Sequence, residues 1–283
     1  LSTETKAPPL SEIQLRYLAL LKSAINGSIY GNPDLLRPVR PAGVLSPLAG
    51  RFLAWRGYTV GRWEAWPEEA YLDGSAERAG VRRLGESMVG LKRLDNVQEC
   101  VLSIVAEGVP GDLVEAGVWR GGCGILMCAL LEMLESDRKV VLADSFQGMP
   151  APNVEEYPND AGFDLHLDES LAVPLDEVRA NFARYGYLDE RVEFVPGWFS
   201  ETMQALSART WSLVRLDGDL YESTMVPLRN LYPNLSPGGY VIIDDYGCYE
   251  ACRAAVDDYR QQNHIGEAIT RIDGSGVYWR KLG

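Results

Sequence analysis

The chain has 283 residues, 46% of them hydrophobic, and a formal net charge of −13 from 27 Lys and Arg against 40 Asp and Glu. That size suits a core domain carrying an elaborated arm better than one undivided domain, and the acidic balance argues against nucleic acid, whose phosphates repel such a surface. No apolar run approaches the roughly 20 residues needed to span a bilayer, and the polar start from Leu1 to Pro9 has no signal-peptide core, so a soluble, cytoplasmic protein acting on a small molecule is expected.

Ser11 and Gln14 stand at capping-box spacing, and Ile13, Tyr17, Leu20, Leu21, Ala24 and Ile25 recur with helical period, which predicts an amphipathic helix from this point. Residues 27–80 mix Gly, Pro and Arg with Tyr30, Trp55, Tyr58, Trp63, Trp66 and Tyr71 and keep no period. They read as loops and short helices forming a lid, or as an irregular segment whose rings anchor it to the core. From about residue 95, apolar runs of strand length alternate with helical patterns, as βα units around a parallel sheet do. Strands are expected at 112–116, 139–143, 192–195, 212–216 and 240–243, and helices at 122–134, 175–185, 225–235 and 250–262. Two final β-like stretches, 267–272 and 276–281, read as a hairpin around Asp273-Gly274-Ser275. The expected division is an N-terminal helical arm and lid, 1–94, over an α/β core, 95–283, without internal repeats.

Three strand ends carry candidate chemistry. The segment Asp112-Leu-Val-Glu-Ala-Gly-Val-Trp-Arg-Gly-Gly122 is strand, glycine-rich turn and helix, the geometry in which a cofactor meets backbone N–H groups. Gly117, Gly121 and Gly122 lack the G-x-G-x-x-G spacing of a dinucleotide site, and Glu115 would repel a pyrophosphate. A cationic amine, such as the methionine end of S-adenosylmethionine, is the better guest; the alternative is an ordinary βα turn with a capping acid. Ala143-Asp144-Ser145 puts an acid at the end of the next strand, where it can accept both hydroxyls of a ribose. After the third strand, Gly197 lets backbone approach a ligand, and Trp198 and Phe199 could border an adenine or belong to the core.

Val214-Arg-Leu-Asp217-Gly-Asp219 and Val241-Ile-Ile-Asp244-Asp245 then end two further strands in carboxylates. If the strands are neighbours, their ends lie about 5 Å apart, and Asp217, Asp244 and Asp245 repel one another unless a cation neutralises them. Hard oxygen donors without His or Cys favour Mg²⁺, Mn²⁺ or Ca²⁺ over zinc. The alternative is that Asp219 and one of the pair cap the following helices. His166 and His264 stand near no Ser or Cys nucleophile motif, which argues against a hydrolase. Cys100, Cys123, Cys128, Cys248 and Cys252 show neither disulfide nor zinc spacing and read as reduced structural thiols, Cys123 at its helix start included.

Seven stretches, in order, resemble the macrocin O-methyltransferase family of metal-dependent sugar methyltransferases. They are Arg16-Tyr17-Leu18 with Ile29-Tyr30-Gly31, Met88-Val-Gly-Leu-Lys-Arg-Leu-Asp-Asn96, Val114-Glu-Ala-Gly-Val-Trp-Arg-Gly-Gly122, Ala143-Asp-Ser-Phe-Gln-Gly148, Leu216-Asp-Gly-Asp-Leu-Tyr-Glu-Ser-Thr224, Ile243-Asp-Asp-Tyr-Gly247 and Ala251-Cys-Arg-Ala-Ala-Val-Asp-Asp258. The resemblance implies a class I methyltransferase (Rossmann-like) fold: a seven-stranded, mostly parallel sheet with helices on both faces, the last two strands forming the antiparallel hairpin. It also implies roles. Asp217 would be metal ligand and general base, with Asp244 and Asp245 completing the ligands to Mg²⁺. Glu115 would take the methionine amine, Asp144 the ribose, and Ser145 and the Met88 region the rest of the cofactor, while Gly117, Gly197, Trp198 and Phe199 stay cofactor-binding candidates on the reading of the strand ends alone. The product would be S-adenosylhomocysteine, the acceptor a hydroxyl of a deoxysugar on a glycosylated natural product, and the assembly a homodimer or higher homo-oligomer with N-terminal helices over the site. The family pattern has a histidine just before the Met-Val-Gly-Leu stretch; this chain has Gly85-Glu86-Ser87. A catechol-type acceptor, a nicotinamide-dependent sugar reductase and a nucleoside-binding module are the alternatives.

Overall fold

A strand that is apolar on both faces must be covered on both faces. The computed structural model, which describes residues 10–30, 35–38, 56, 61–64, 72 and 85–283, meets that demand. In chain order its elements are α1 (Glu12–Ile25), β1 (Leu35–Pro38), β2 (Gly61–Glu64), α2 (Leu91–Ala106), β3 (Asp112–Ala116), α3 (Gly122–Met133), β4 (Val140–Asp144), α4 (Leu175–Tyr185), β5 (Val192–Pro196), α5 (Phe199–Leu206), β6 (Trp211–Leu216), α6 (Tyr221–Leu231), β7 (Leu235–Ile243), α7 (Glu250–Gln262), β8 (Thr270–Arg271) and β9 (Val277–Arg280). β1 and β2 form a separate antiparallel pair.

The main sheet has the order β5-β4-β3-β6-β7-β9-β8. Strands β3 to β7 pair in parallel, and β9 runs antiparallel to both β7 and β8. Side chains alternate across each strand. Leu113, Leu142, Leu213 and Ile242 therefore join α1 to α4 in one apolar cluster, while Val114, Val141, Val214 and Val241 join α5, α6 and α7 in the other. This is the seven-stranded, helix-covered sheet that the resemblance implies. Among the described residues no helix is long and apolar enough to cross a membrane.

Local signals hold well where the partner is close in sequence. The amide of Gln14 donates to Ser11 Oγ at 3.3 Å and that of Ser11 to Gln14 Oε1 at 2.8 Å, closing the expected capping box. The buried stripe of α1 is narrower than its apolar pattern: Leu18, Leu21 and Ile25 are buried, whereas Ile13 and Leu20 are 80% and 56% exposed. Ile25 packs against Gly122 at the start of α3, which selects the stripe.

Elsewhere distant partners shift the boundaries. The stretch expected as helix at 225–235 is helix at Tyr221–Leu231, because its polar first turn is capped from another segment. The amides of Tyr221 and Glu222 donate to the buried Asp160 at 2.6 and 3.1 Å. Asp160 fills the capping role considered for Asp219. β7 starts at Leu235 instead of 240; Ser236-Pro237-Gly238-Gly239, which reads locally as a turn, is a bulge within the strand, with φ +87° at Gly238 and a register shift against β6 between Trp211 and Leu213. The helix α5, following Trp198, has no counterpart among the expected elements. The expected boundary at 94/95 falls inside α2, whose Leu94 lies in the same cluster as α1. Most of the lid segment 27–80 lies outside the described residues, including Trp55, Tyr58, Trp66 and Tyr71, as do the side chains of Tyr30 and Trp63. All five cysteines are free, and only Cys248 is exposed.

Candidate active site

The order of the sheet reverses between β3 and β6, and open α/β sheets bind ligands at the carboxyl ends of strands beside such a reversal. There the backbones of the two strand exits touch. Gly117 has φ +92°, and a Cβ on it would lie 1.9 Å from the carbonyl oxygen of Asp217, so only glycine fits.

Glu115, on β3, is 2% exposed. Its register partner on β6 is Arg215, whose Nη1 donates to Glu115 Oε1 at 2.8 Å. Glu115 Oε2 is buried and has no protein donor. Burial pushes this carboxyl up to about 8, Arg215 pulling it back down and Asp217, Asp244 and Asp144 adding to the rise. A buried carboxylate oxygen without a partner is costly, so this atom favours a cationic donor from outside the chain.

Asp144, at the end of β4, ties the turn after β3 in place. Its Oδ2 accepts from the amides of Val118 (2.7 Å) and Trp119 (3.4 Å), and its Oδ1 from the amide of Phe146 (2.7 Å) and Ser145 Oγ (3.4 Å). Two short and two long bonds leave capacity in a group with about four acceptor sites. Burial raises its pKa, and the backbone amides oppose the rise. Trp119 has φ +46°, rare for a bulky residue; its indole donates to the Ser170 carbonyl at 3.0 Å, fixing the 145–174 connection over the turn.

Two adjoining cavities open here. One of about 460 Å³ is lined by Met88, Gly117, Asp144, Ser145, Trp198 and Phe199, among others. The other, of about 500 Å³, is lined by Glu115, Arg215, Asp245, Cys248 and Tyr249, among others. Met88, Val118, Trp119, Leu171, Asp217 and Asp219 line both. Gly197 lines neither; it adopts φ +137° and donates its amide to the Asp144 carbonyl at 2.9 Å.

Asp217 leaves β6 and Asp244 and Asp245 leave β7, and because those strands are neighbours, one oxygen from each lies within 4.8 Å of the others. Asp244 is fully buried and gripped from two sides. Arg215 Nη2 donates to Asp244 Oδ1 at 2.6 Å and to Asp217 Oδ2 at 2.9 Å, and Arg93 Nη1 donates to Asp244 Oδ2. Arg93 Nε reaches Asp273 Oδ2 at 3.1 Å, in the turn of the C-terminal hairpin. Asp245 accepts the amide of Asp219 at 3.2 Å. Burial, then the charges of Asp219, Asp217 and Asp244, lift its pKa well above the usual carboxylate range.

Arg93 and Arg215 belong to the site although sequence reasoning gave them no role. The available signal was an arginine within β6, whose other residues are almost all apolar; such a buried charge demands carboxylate partners. Asp273 and Asp160 left no comparable signal.

Comparison with known proteins identifies the family. Residues 14–281 match the family described as Macrocin-O-methyltransferase (TylF). A Streptomyces olivaceus protein, 8-demethyl-8-(2,3-dimethoxy-alpha-L-rhamnosyl)-tetracenomycin-C 4'-O-methyltransferase, is 54% identical over 199 residues, 70% of this chain and 76% of that one. Demethyldecarbamoylnovobiocin O-methyltransferase of Streptomyces niveus is 49% identical over 69% of this chain and 75% of its own, and mycinamicin III 3''-O-methyltransferase of Micromonospora griseorubida 47% identical over 70% and 79%. The solved O-methyltransferase NovP aligns with TM-score 0.81 and 39% identity over 95% of this chain and all of its own. The chain belongs to the macrocin-O-methyltransferase family and is an S-adenosylmethionine-dependent O-methyltransferase.

Proposed function

We propose that the chain methylates a hydroxyl of a deoxysugar on a glycosylated natural product, with a divalent cation, Mg²⁺ before Mn²⁺ or Ca²⁺, held by Asp217, Asp244 and Asp245. The observation that carries this reading is the convergence of those three carboxylates beside a cavity that adjoins Glu115. An all-oxygen donor set fits a hard cation, and the unpartnered Glu115 Oε2 fits the amine of the methyl donor. One relative is named for acting on a rhamnosyl tetracenomycin, which supports a sugar acceptor.

Bound S-adenosylmethionine supplies a methyl group already activated on sulfonium, and a bound divalent cation supplies Lewis acidity that brings an alcohol within reach of a carboxylate base. Glu115, with Gly117 beside it, holds the amine end. Asp144 takes ribose hydroxyls in place of its two long bonds, Ser145 and Met88 flank them, and Trp198 and Phe199 border the adenine, with Gly197 shaping the backbone beneath. Asp217 takes the acceptor's proton, since it lines both cavities and is part exposed. Asp219 is a second carboxylate able to act as the base. It too lines both cavities, and it stands outside the three-carboxylate cluster. We further propose that the 1–94 arm acts as a lid and that the chain works as a homodimer or higher homo-oligomer.

Calorimetric titration with S-adenosylhomocysteine, followed by turnover of glycosylated acceptors with Mg²⁺ and after chelation, tests the reading. Product binding together with chelator-sensitive methylation is expected. Undiminished turnover after chelation, or in an Asp244→Asn/Asp245→Asn double variant, would refute the metal site.

A further inference from the structure

Arg215 touches both halves of the site. It is 1% exposed, and its fork spans three carboxylates: Nη1 serves Glu115 at 2.8 Å, and Nη2 serves Asp217 at 2.9 Å and Asp244 at 2.6 Å. The backbone imposes this arrangement. Glu115 is its cross-strand neighbour, Asp217 lies two residues along on the same side of β6, and Asp244 follows the end of neighbouring β7. Arg93 holds the other oxygen of Asp244, so Nη2 of Arg215 meets only one oxygen of that carboxylate. One permanent charge is thus shared between the carboxylate that faces an amine and two of those that face a cation.

We propose that Arg215 is a positioning residue that couples the amine site to the cation site, so that the methyl donor and the divalent cation each weaken the binding of the other. This rests on the proposed function, which puts those two ligands at Glu115 and at the aspartates. A cation engaging Asp217 and Asp244 leaves Glu115 as the main partner of Arg215, and a more fully neutralised Glu115 attracts an ammonium less. An ammonium at Glu115 Oε2, conversely, leaves the guanidinium charge to Asp217 and Asp244 and lowers their pull on the cation. The two effects are one coupling free energy and must be equal. Without either ligand, Arg215 and Arg93 hold the repelling aspartates together. A lysine at 215 would keep the charge but lack the planar fork needed to span three acceptors.

The test is calorimetry on wild type and Arg215→Lys. S-adenosylhomocysteine, which carries the same amine, is titrated into metal-free and Mg²⁺-saturated protein, and Mg²⁺ into protein with and without S-adenosylhomocysteine. In the wild type each ligand is expected to raise the Kd of the other by the same factor, about tenfold, and Arg215→Lys to bring that factor close to one while both ligands still bind. A wild-type factor of one, mutual strengthening, or an unchanged factor in the variant overturns the coupling. Should Arg215→Lys fail to fold, Glu115→Gln replaces it: the amide oxygen keeps a hydrogen bond to Arg215 but carries no charge, and the factor is expected to collapse there too. A wild type that binds only one of the two ligands refutes the proposed function itself, a result distinct from independent binding of both.

Discussion

Glu115→Gln separates a ligand-binding acid from a structural one. The substitution keeps shape and leaves an oxygen to accept from Arg215, which remains compensated by Asp217 and Asp244 at 2.9 and 2.6 Å. What it removes is the charge behind Oε2, the buried oxygen without a protein partner. A hydrogen bond to a charged group contributes about 1.5–3 kcal/mol, so the Kd for S-adenosylhomocysteine should rise about 10- to 150-fold. The ligand-free protein should melt no lower than wild type, because the native carboxyl is itself poorly satisfied. Calorimetry and thermal melting together read both quantities. Wild-type binding should also strengthen as pH rises toward 8, the value to which burial pushes this carboxyl, and the variant should lose that part of the dependence. Unchanged affinity, or a large loss of stability without ligand, would refute the assignment of Glu115 to the amine.

Asp217→Asn and Asp219→Asn should each cut turnover with S-adenosylhomocysteine binding largely kept; if Asp217 is ligand and base, only its variant also loses Mg²⁺ affinity, and full activity in Asp217→Asn would remove it from the chemistry. Glu115, Asp144 and Asp245 all have pKa values raised by folding. Stability from such groups is fully present below their unfolded pKa and is lost as pH climbs through the folded one, so the ligand-free protein should lose melting temperature from about pH 4.5 toward 8. Mg²⁺ should restore more of it at the upper end, and a melting profile unaffected by Mg²⁺ at every pH would contradict the site. Asp160→Ala removes two acceptors from the start of α6 and should cost about 0.5–2 kcal/mol in denaturant unfolding; a neutral variant would show that the cap is dispensable.

The sheet was legible in the sequence because its signal is local. Apolar runs of strand length alternating with helical patterns predict βα units around a parallel sheet, and β3 at Asp112–Ala116 and α7 at Glu250–Gln262 lie where the periodicity puts them. The carboxylates at strand ends were legible for the same reason, since in a parallel sheet strands that leave in one direction bring their last residues to one edge. The neutralisation of those carboxylates was not legible. Arg215 meets Glu115 across 100 residues, Arg93 meets Asp273 across 180, and Asp160 caps α6 across 61. No local pattern encodes such separations: sheet order and register select the first, the docking of α2 against the C-terminal hairpin the second, and the path of the 145–174 connection the third. The sequence by itself determined which residues could do chemistry and at which strand ends they stand. Tertiary structure decided which charges share a partner, because electrostatic interactions act through distance in space and are blind to distance along the chain.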